Sequence, residues 1–139
     1  MFVRSVRDVL GERSVPAVAP AATVREAAHV LDHFDIGALV VLDGECLVGV
    51  ISERDVIRRC VAQDADPAEV TVAQVMTRDP RTIDAEAGLA DAIRMMTEAH
   101  CRHLPVMTGE RCIGLLSIRD IPTEYRMMVE RFAEMRGQR

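Results

Sequence analysis

The chain has 139 residues, room for one domain or two very small ones, and its 49% apolar and 28% charged residues are an ordinary globular balance. Aromatics make up only 3% and Trp is absent, so the core must rest on aliphatic side chains and Met. A net charge of −5 argues against gripping a nucleic-acid backbone, and all 17 basic residues are Arg, which excludes a Schiff-base or Walker lysine.

From the start, Met1 to Leu10 alternates charge with Val and has no apolar signal region. No apolar run approaches a membrane span. The four cysteines, Cys46, Cys60, Cys101 and Cys112, form no CxxC pair. A cytoplasmic protein with reduced thiols is expected, with neither nucleic acid nor membrane as partner.

Val15 to Val18 is a short apolar segment. A helix follows over Thr23 to His33, with Val24, Ala27, Ala28 and Leu31 at i, i+3, i+4, i+7. Thr23 and Glu26 predict a capping box at its start. Two strands, Ala38–Leu42 and Leu47–Ile51, flank Asp43-Gly44, a strong hairpin signal. A second helix is predicted to begin near Ser52, where Glu53 and Asp55 suit the positive end. Residues 63–69 read as a polar link. The order then recurs. Thr82 and Ile83 open it, and a helix over Gly88 to Ala99 presents Leu89, Ala92, Ile93 and Met96. Strands Leu104–Met107 and Cys112–Leu116 flank Thr108-Gly109, and a helix is expected near Ser117 with Asp120 in its first turn. Pro122 disfavours a helical Ile121. An amphipathic helix over Thr123 to Met135 carries Tyr125, Met128, Val129 and Phe132 on one face.

The recurrence is an internal repeat. Gly49-Val-Ile-Ser52-Glu-Arg54-Asp55 and Gly114-Leu-Leu-Ser117-Ile-Arg119-Asp120 lie 65 residues apart. The same offset relates Val24 to Leu89, Leu31 to Met96, Val41 to Val106 and Gly44 to Gly109. Val6 and Val9 resemble Val72 and Val75 at an offset one residue longer. The chain divides into a first repeat over 1–65, a second over 66–126, and a helix end and tail over 127–139. A repeat of this size buries too little surface alone. The expected fold is therefore α/β (α+β), with two repeats packed sheet to sheet about a pseudo-twofold, and a C-terminal amphipathic helix.

These residues resemble the CBS domain pair, or Bateman module, of the small stand-alone bacterial type. The resemblance spans about Val6 to Arg126. It rests on residues 36–41 (IGALVV) with the Gly49–Asp55 motif, and on residues 102–106 (RHLPV) with the Gly114–Asp120 motif. It implies a regulatory, non-enzymatic module whose inter-repeat clefts bind an adenine nucleotide: AMP, ADP, ATP or an NAD-like compound. It implies that Asp55 and Asp120 hold ribose hydroxyls. Phosphate would fall to Ser52, Ser117, Arg54 and Arg119, with Arg102 and His103 adding positive charge. Val18, Ile36, Gly37, Thr82 and Ile83 would clasp the adenine. No cofactor is required, and a homodimer with an unidentified protein effector is implied. The chemistry agrees: a carboxylate accepts two hydrogen bonds from a diol, and Arg grips phosphate bidentately.

Plainer readings stand beside these. Asp55 and Asp120 also suit simple helix starts. His29 and His33 have metal-ligand spacing, but Asp32 stands between them and no second ligand set is evident; the cluster His100-Cys101-Arg102-His103 invites the same thought, with Cys46 or Cys112 as distant partners, and no metal site is assigned. No general base with an oriented partner emerges. The rival to a ligand sensor is a ligand-free structural or dimerisation module working through protein contacts.

Overall fold

The structure is a computed structural model and describes residues 5–135. Residues 1–4 of the opening segment, and 136–139 of the tail expected over 127–139, lie outside the described residues. The architecture is mixed α/β, with two sheets and a C-terminal helix. The chain forms two compact units.

The Asp55 unit comprises Ser14–Pro80 with Glu110–Cys112. Its sheet has the order β1-β2-β3-β4: β1 (Ala17–Val18), β2 (Ala38–Asp43), β3 (Cys46–Ser52) and β4 (Thr77–Arg78). β1 runs parallel to β2, and the other pairs are antiparallel. The predicted hairpin is present, and Gly44 takes a left-handed φ of 64° that few side chains tolerate. Helix α2 (Val24–Phe34) begins on the predicted capping box, with Thr23 accepting from the Glu26 N–H. Its stripe of Val24, Ala27 and Leu31 packs with Leu39, Val41 and Ile51 of the strands. Helix α3 (Glu53–Arg59) starts at Ser52 as expected.

The Asp120 unit comprises the segment up to Arg13, Arg81–Gly109 and the chain from Ile113. Its sheet order is β5-β6-β7: β5 (Ile83–Asp84), β6 (His103–Thr108) and β7 (Arg111–Ser117). β5 lies parallel to β6, as β1 does to β2. Helix α5 (Leu89–Ala99) buries Leu89, Ala92, Ile93 and Met96 against Leu104, Val106 and Leu116. Helix α6 (Thr123–Met135) packs Tyr125 and Val129 on this core but leaves Met128 and Phe132 largely exposed. The four-residue stripe expected on one face is therefore split between core and surface.

Two short helices cross between the repeats. α1 (Val6–Leu10) belongs to the first repeat in sequence, yet its Val6 and Arg7 N–H groups donate to the Ala87 and Ala85 carbonyls of the Asp120 unit. α4 (Val72–Val75) belongs to the second repeat, yet its Val72 and Ala73 N–H groups donate to the Ala22 and Pro20 carbonyls of the Asp55 unit. The sequence repeats 1–65 and 66–126 and the spatial units are thus different divisions of one chain. Unmade bonds at a helix start are costly when buried, and these four bonds satisfy them alike in both units.

The segment after Ser117 departs from expectation. It is a single 3-10 turn, Ile118–Asp120, where the first repeat has the seven-residue α3. Pro122 explains the difference: it lacks the N–H that an α-helix would direct at Ile118, and it pushes Ile121 out of the helical region. Ile121 is extended, at φ −88° and ψ 123°.

Candidate functional site

Each unit builds the same local frame around its motif aspartate. In the Asp55 unit, β3 ends at Ser52, and the Glu53 N–H donates to the Gly37 carbonyl (3.0 Å) just before β2. In the Asp120 unit, β7 ends at Ser117, and the Ile118 N–H donates to the Arg102 carbonyl (2.9 Å) just before β6. The bond pins the pre-strand residue beside the helix start. It therefore brings Ile36 and Gly37 near Ser52, and Arg102 and His103 near Ser117.

The aspartates close capping boxes. The Asp55 N–H donates to Ser52 Oγ (3.2 Å), while Asp55 Oδ2 accepts from the Ser52 N–H (3.0 Å) and hydroxyl (3.1 Å). Asp55 is only 9% exposed, the one buried charged residue among those described. Asp120 Oδ2 accepts from the Ser117 N–H (2.8 Å), and Ser117 Oγ accepts from the Arg119 N–H (3.2 Å). Both pairs thus hold their own backbone, so the plain helix-start role is physically realised. It engages mainly one carboxylate oxygen, and Oδ1 of each aspartate faces elsewhere.

Oδ1 is where the two frames differ. Asp120 Oδ1 accepts from Arg13 Nη1 at 2.9 Å. Among the described residues, Asp55 Oδ1 is met by Arg59 Nε at 3.8 Å, an ion pair beyond hydrogen-bond length. Sequence reading missed both arginines. Arg59 lies one helical turn beyond Asp55, a spacing that makes a contact predictable. Arg13 is 107 residues from Asp120, and no sequence signal links them.

The remaining predicted residues fall as follows. Arg54, Arg119 and Arg102 are exposed, and His103 is half-buried at the first position of β6. Val18 is half-buried in β1, and Ile36 and Gly37 are half-buried before β2. Ile83 is buried in β5, whereas Thr82 before it is exposed. Cys101 occupies the place in the second repeat that Ile36 has in the first. Burial pushes its thiol above the usual range, opposed by a hydrogen bond with the His103 backbone and by the Arg81 charge. Among the described residues, no three His, Cys, Asp or Glu side chains gather as a metal-binding group. None of the described helices is long and apolar enough to cross a membrane.

The motif glycines are explained by close approach. A Cβ on Gly49 would meet Met76 Sδ at 2.6 Å and the Thr77 carbonyl at 2.8 Å. A Cβ on Gly114 would meet a Leu10 methyl at 2.9 Å. In each unit the end of the crossing helix lies directly over the motif strand.

Comparison with known proteins agrees with this architecture. The CBS domain family matches the chain at residues 6–62 and again at 72–124. The chain belongs to the CBS domain family, whose tandem members are generally regulatory and non-catalytic modules. It is similar to a 17.7 kDa protein of Acidianus ambivalens, with 33% identity over 109 residues. That match covers 77% of this chain and 65% of the relative, so the chain spans just under two thirds of that relative's length. Among solved structures, a CBS-domain containing protein from Agrobacterium tumefaciens superposes with a TM-score of 0.77 at 30% identity, covering 84% of this chain and 95% of the other. A CBS domain protein from Pyrobaculum aerophilum, solved in complex with AMP, gives 0.79 at 28% identity, covering 91% and 97%.

Proposed function

We propose that this chain is a regulatory sensor that binds an adenine nucleotide and transmits its presence by conformational change. One observation carries the reading. The same Ser–Asp box, with the N–H of the residue after the serine bonded to the equivalent pre-strand carbonyl, recurs in both units and engages mainly one carboxylate oxygen, so that Oδ1 is turned away from the box, towards Arg59 in one unit and Arg13 in the other. The AMP complex of the Pyrobaculum relative supports the choice of ligand class.

In this reading the Oδ1 edges of Asp55 and Asp120 accept the ribose 2′- and 3′-hydroxyls, that of Asp120 once Arg13 has released it. The Ser52 and Ser117 hydroxyls are engaged as caps, so the phosphates fall chiefly to Arg54, Arg119, Arg102 and His103. Val18, Ile36, Gly37, Thr82 and Ile83 supply the adenine contacts. The ligand acts by binding one conformation more tightly than another, and a coupling of about 1–3 kcal/mol makes a useful switch. No catalytic role is assigned, and the cytoplasm is the proposed compartment. A homodimer through α6 is part of the proposal, because Met127, Met128 and Phe132 are 46–59% exposed on that helix.

Thermal unfolding with AMP, ADP, ATP, NAD and S-adenosylmethionine, with GTP as control, tests the reading. A ligand at about 100 times its Kd adds roughly 2.7 kcal/mol, several degrees for a chain of this size. The expected result is a rise with at least one adenine compound and none with GTP. No rise with any of them would shift the reading to a ligand-free interaction module, in which the Ser–Asp boxes serve only as caps.

A further inference from the structure

Arg13 and Arg59 come from unrelated places in the chain, yet they stand in equivalent places in space. Arg59 Nη1 donates to the Val75 and Met76 carbonyls (3.2 and 3.0 Å) at the end of α4, and its Nε faces Asp55 Oδ1. Arg13 Nε donates to the Leu10 carbonyl (3.0 Å) and its Nη2 to the Val9 carbonyl (3.4 Å) at the end of α1, while Nη1 binds Asp120 Oδ1. Val9 and Leu10 are the repeat counterparts of Val75 and Met76. Each unit therefore holds one guanidinium between the C-terminal carbonyls of its crossing helix and the outer oxygen of its motif aspartate. Five fixed donors make Arg suited to such a bridge, and the negative end of a helix favours it.

The two bridges are not equally tight. Arg13 makes a charge-assisted bond to Asp120 at 2.9 Å, whereas the Arg59–Asp55 contact is 3.8 Å. We propose that Arg13 and Arg59 are specificity-determining residues that make the two ribose sites unequal. Arg13 occupies the Asp120 edge that a ribose diol needs, so a nucleoside phosphate fills the Asp55 site first. The Asp120 site fills only when Arg13 lets go, so occupancy there is coupled to the C-terminal end of α1. The inference rests on the adenine-nucleotide reading for its ligand, and on the two bridges for its asymmetry.

The test is isothermal titration of the full chain with AMP, alongside thermal unfolding of the ligand-free variants. One tight and one weak site are expected in the parent protein. Asp55→Asn is expected to weaken the tight site at least tenfold, and Asp120→Asn to remove the weak one. Arg13→Ala, at a side chain half exposed and not in the core, is expected to tighten the weak site severalfold, while Arg59→Ala does not touch it. Two equal sites in the parent protein, or an unchanged weak site in Arg13→Ala, would overturn the inference. Double-mutant cycles on unfolding provide the ligand-free arm. Coupling between Arg13 and Asp120 is expected to exceed that between Arg59 and Asp55. If AMP binds nowhere, the nucleotide reading and the filling order fall together, while a larger Arg13–Asp120 coupling would still show the carboxylates to be unequal. Equal or absent couplings would remove that inequality as well.

Discussion

The Asp55 and Asp120 units share their main parts, with the crossing helix after the hairpin in one and before it in the other, and around the motif aspartate they differ where one residue changes the backbone's options. Both have a strand–helix–hairpin frame, a crossing helix and a Ser–Asp box. In the Asp55 unit the box opens a helix of seven residues, long enough to bring Arg59 round beside its aspartate. In the Asp120 unit Pro122 stops the helix after one 3-10 turn, and no residue of that turn takes Arg59's place. The guanidinium there comes from Arg13 instead, at the other end of the sequence. The comparison teaches that the bridge is a property of the three-dimensional frame. A carboxylate edge beside helix-end carbonyls attracts a cation from whichever segment supplies one.

The largest expected effects probe whether the two units are equally well packed. Leu39 and Leu104 are repeat counterparts, each fully buried in its own core cluster. Leu39→Ala and Leu104→Ala are each expected to cost about 2–5 kcal/mol in urea unfolding. A cost below about 1 kcal/mol at one site only would show that one unit is far looser than the other.

Next come the glycines. Gly49→Ala forces a Cβ against a backbone carbonyl, which cannot rotate away, whereas Gly114→Ala meets the Leu10 side chain, its two methyls nearest. The first is expected to cost about 1–3 kcal/mol and the second less, because a leucine end can turn aside. Equal losses would mean that both crossing helices are held rigidly.

The caps should give a smaller contrast. Ser52→Ala removes the cap of a seven-residue helix, at about 1 kcal/mol. Ser117→Ala caps only a short turn, and a loss of about half that or less is expected from the same principle. A reversal of this order would give the 3-10 turn a structural weight that its length does not suggest.

The smallest effect concerns Cys101, which stands where the other unit has Ile36. Its thiol is raised mainly by burial, so the folded chain holds the proton after the unfolded chain has lost it. The linked stability is present below the ordinary thiol range and is lost as pH rises through and above it. A midpoint that drifts down with rising alkaline pH is expected, and the drift should shrink in Cys101→Val. An unchanged drift would place its source elsewhere.

Much of this could be read from the residues in order. The capping box at Thr23, the α2 and α5 stripes, both hairpins and the Ser52 helix start all depend on neighbours within a few positions. The structure has each of them. The short helices α1 and α4 were legible only as a faint match between Val6, Val9 and Val72, Val75. At four or five residues they show no full period of the apolar pattern. The 3-10 turn after Ser117 was half legible: Pro122 announced a break, but its reach back to Ile118 follows from the hydrogen bond it cannot make.

By itself, the sequence determined the repeat, the family, the main helix and hairpin of each repeat and the position of both Ser–Asp boxes. All of these are local patterns or patterns copied at a constant offset. Only the tertiary structure decided which repeat's opening helix joins which unit, and which cation meets each aspartate. Those choices join residues about as far apart as Arg13 and Asp120, or Leu10 and Gly114. Packing and charge select such partners in space, where separation along the chain carries no information.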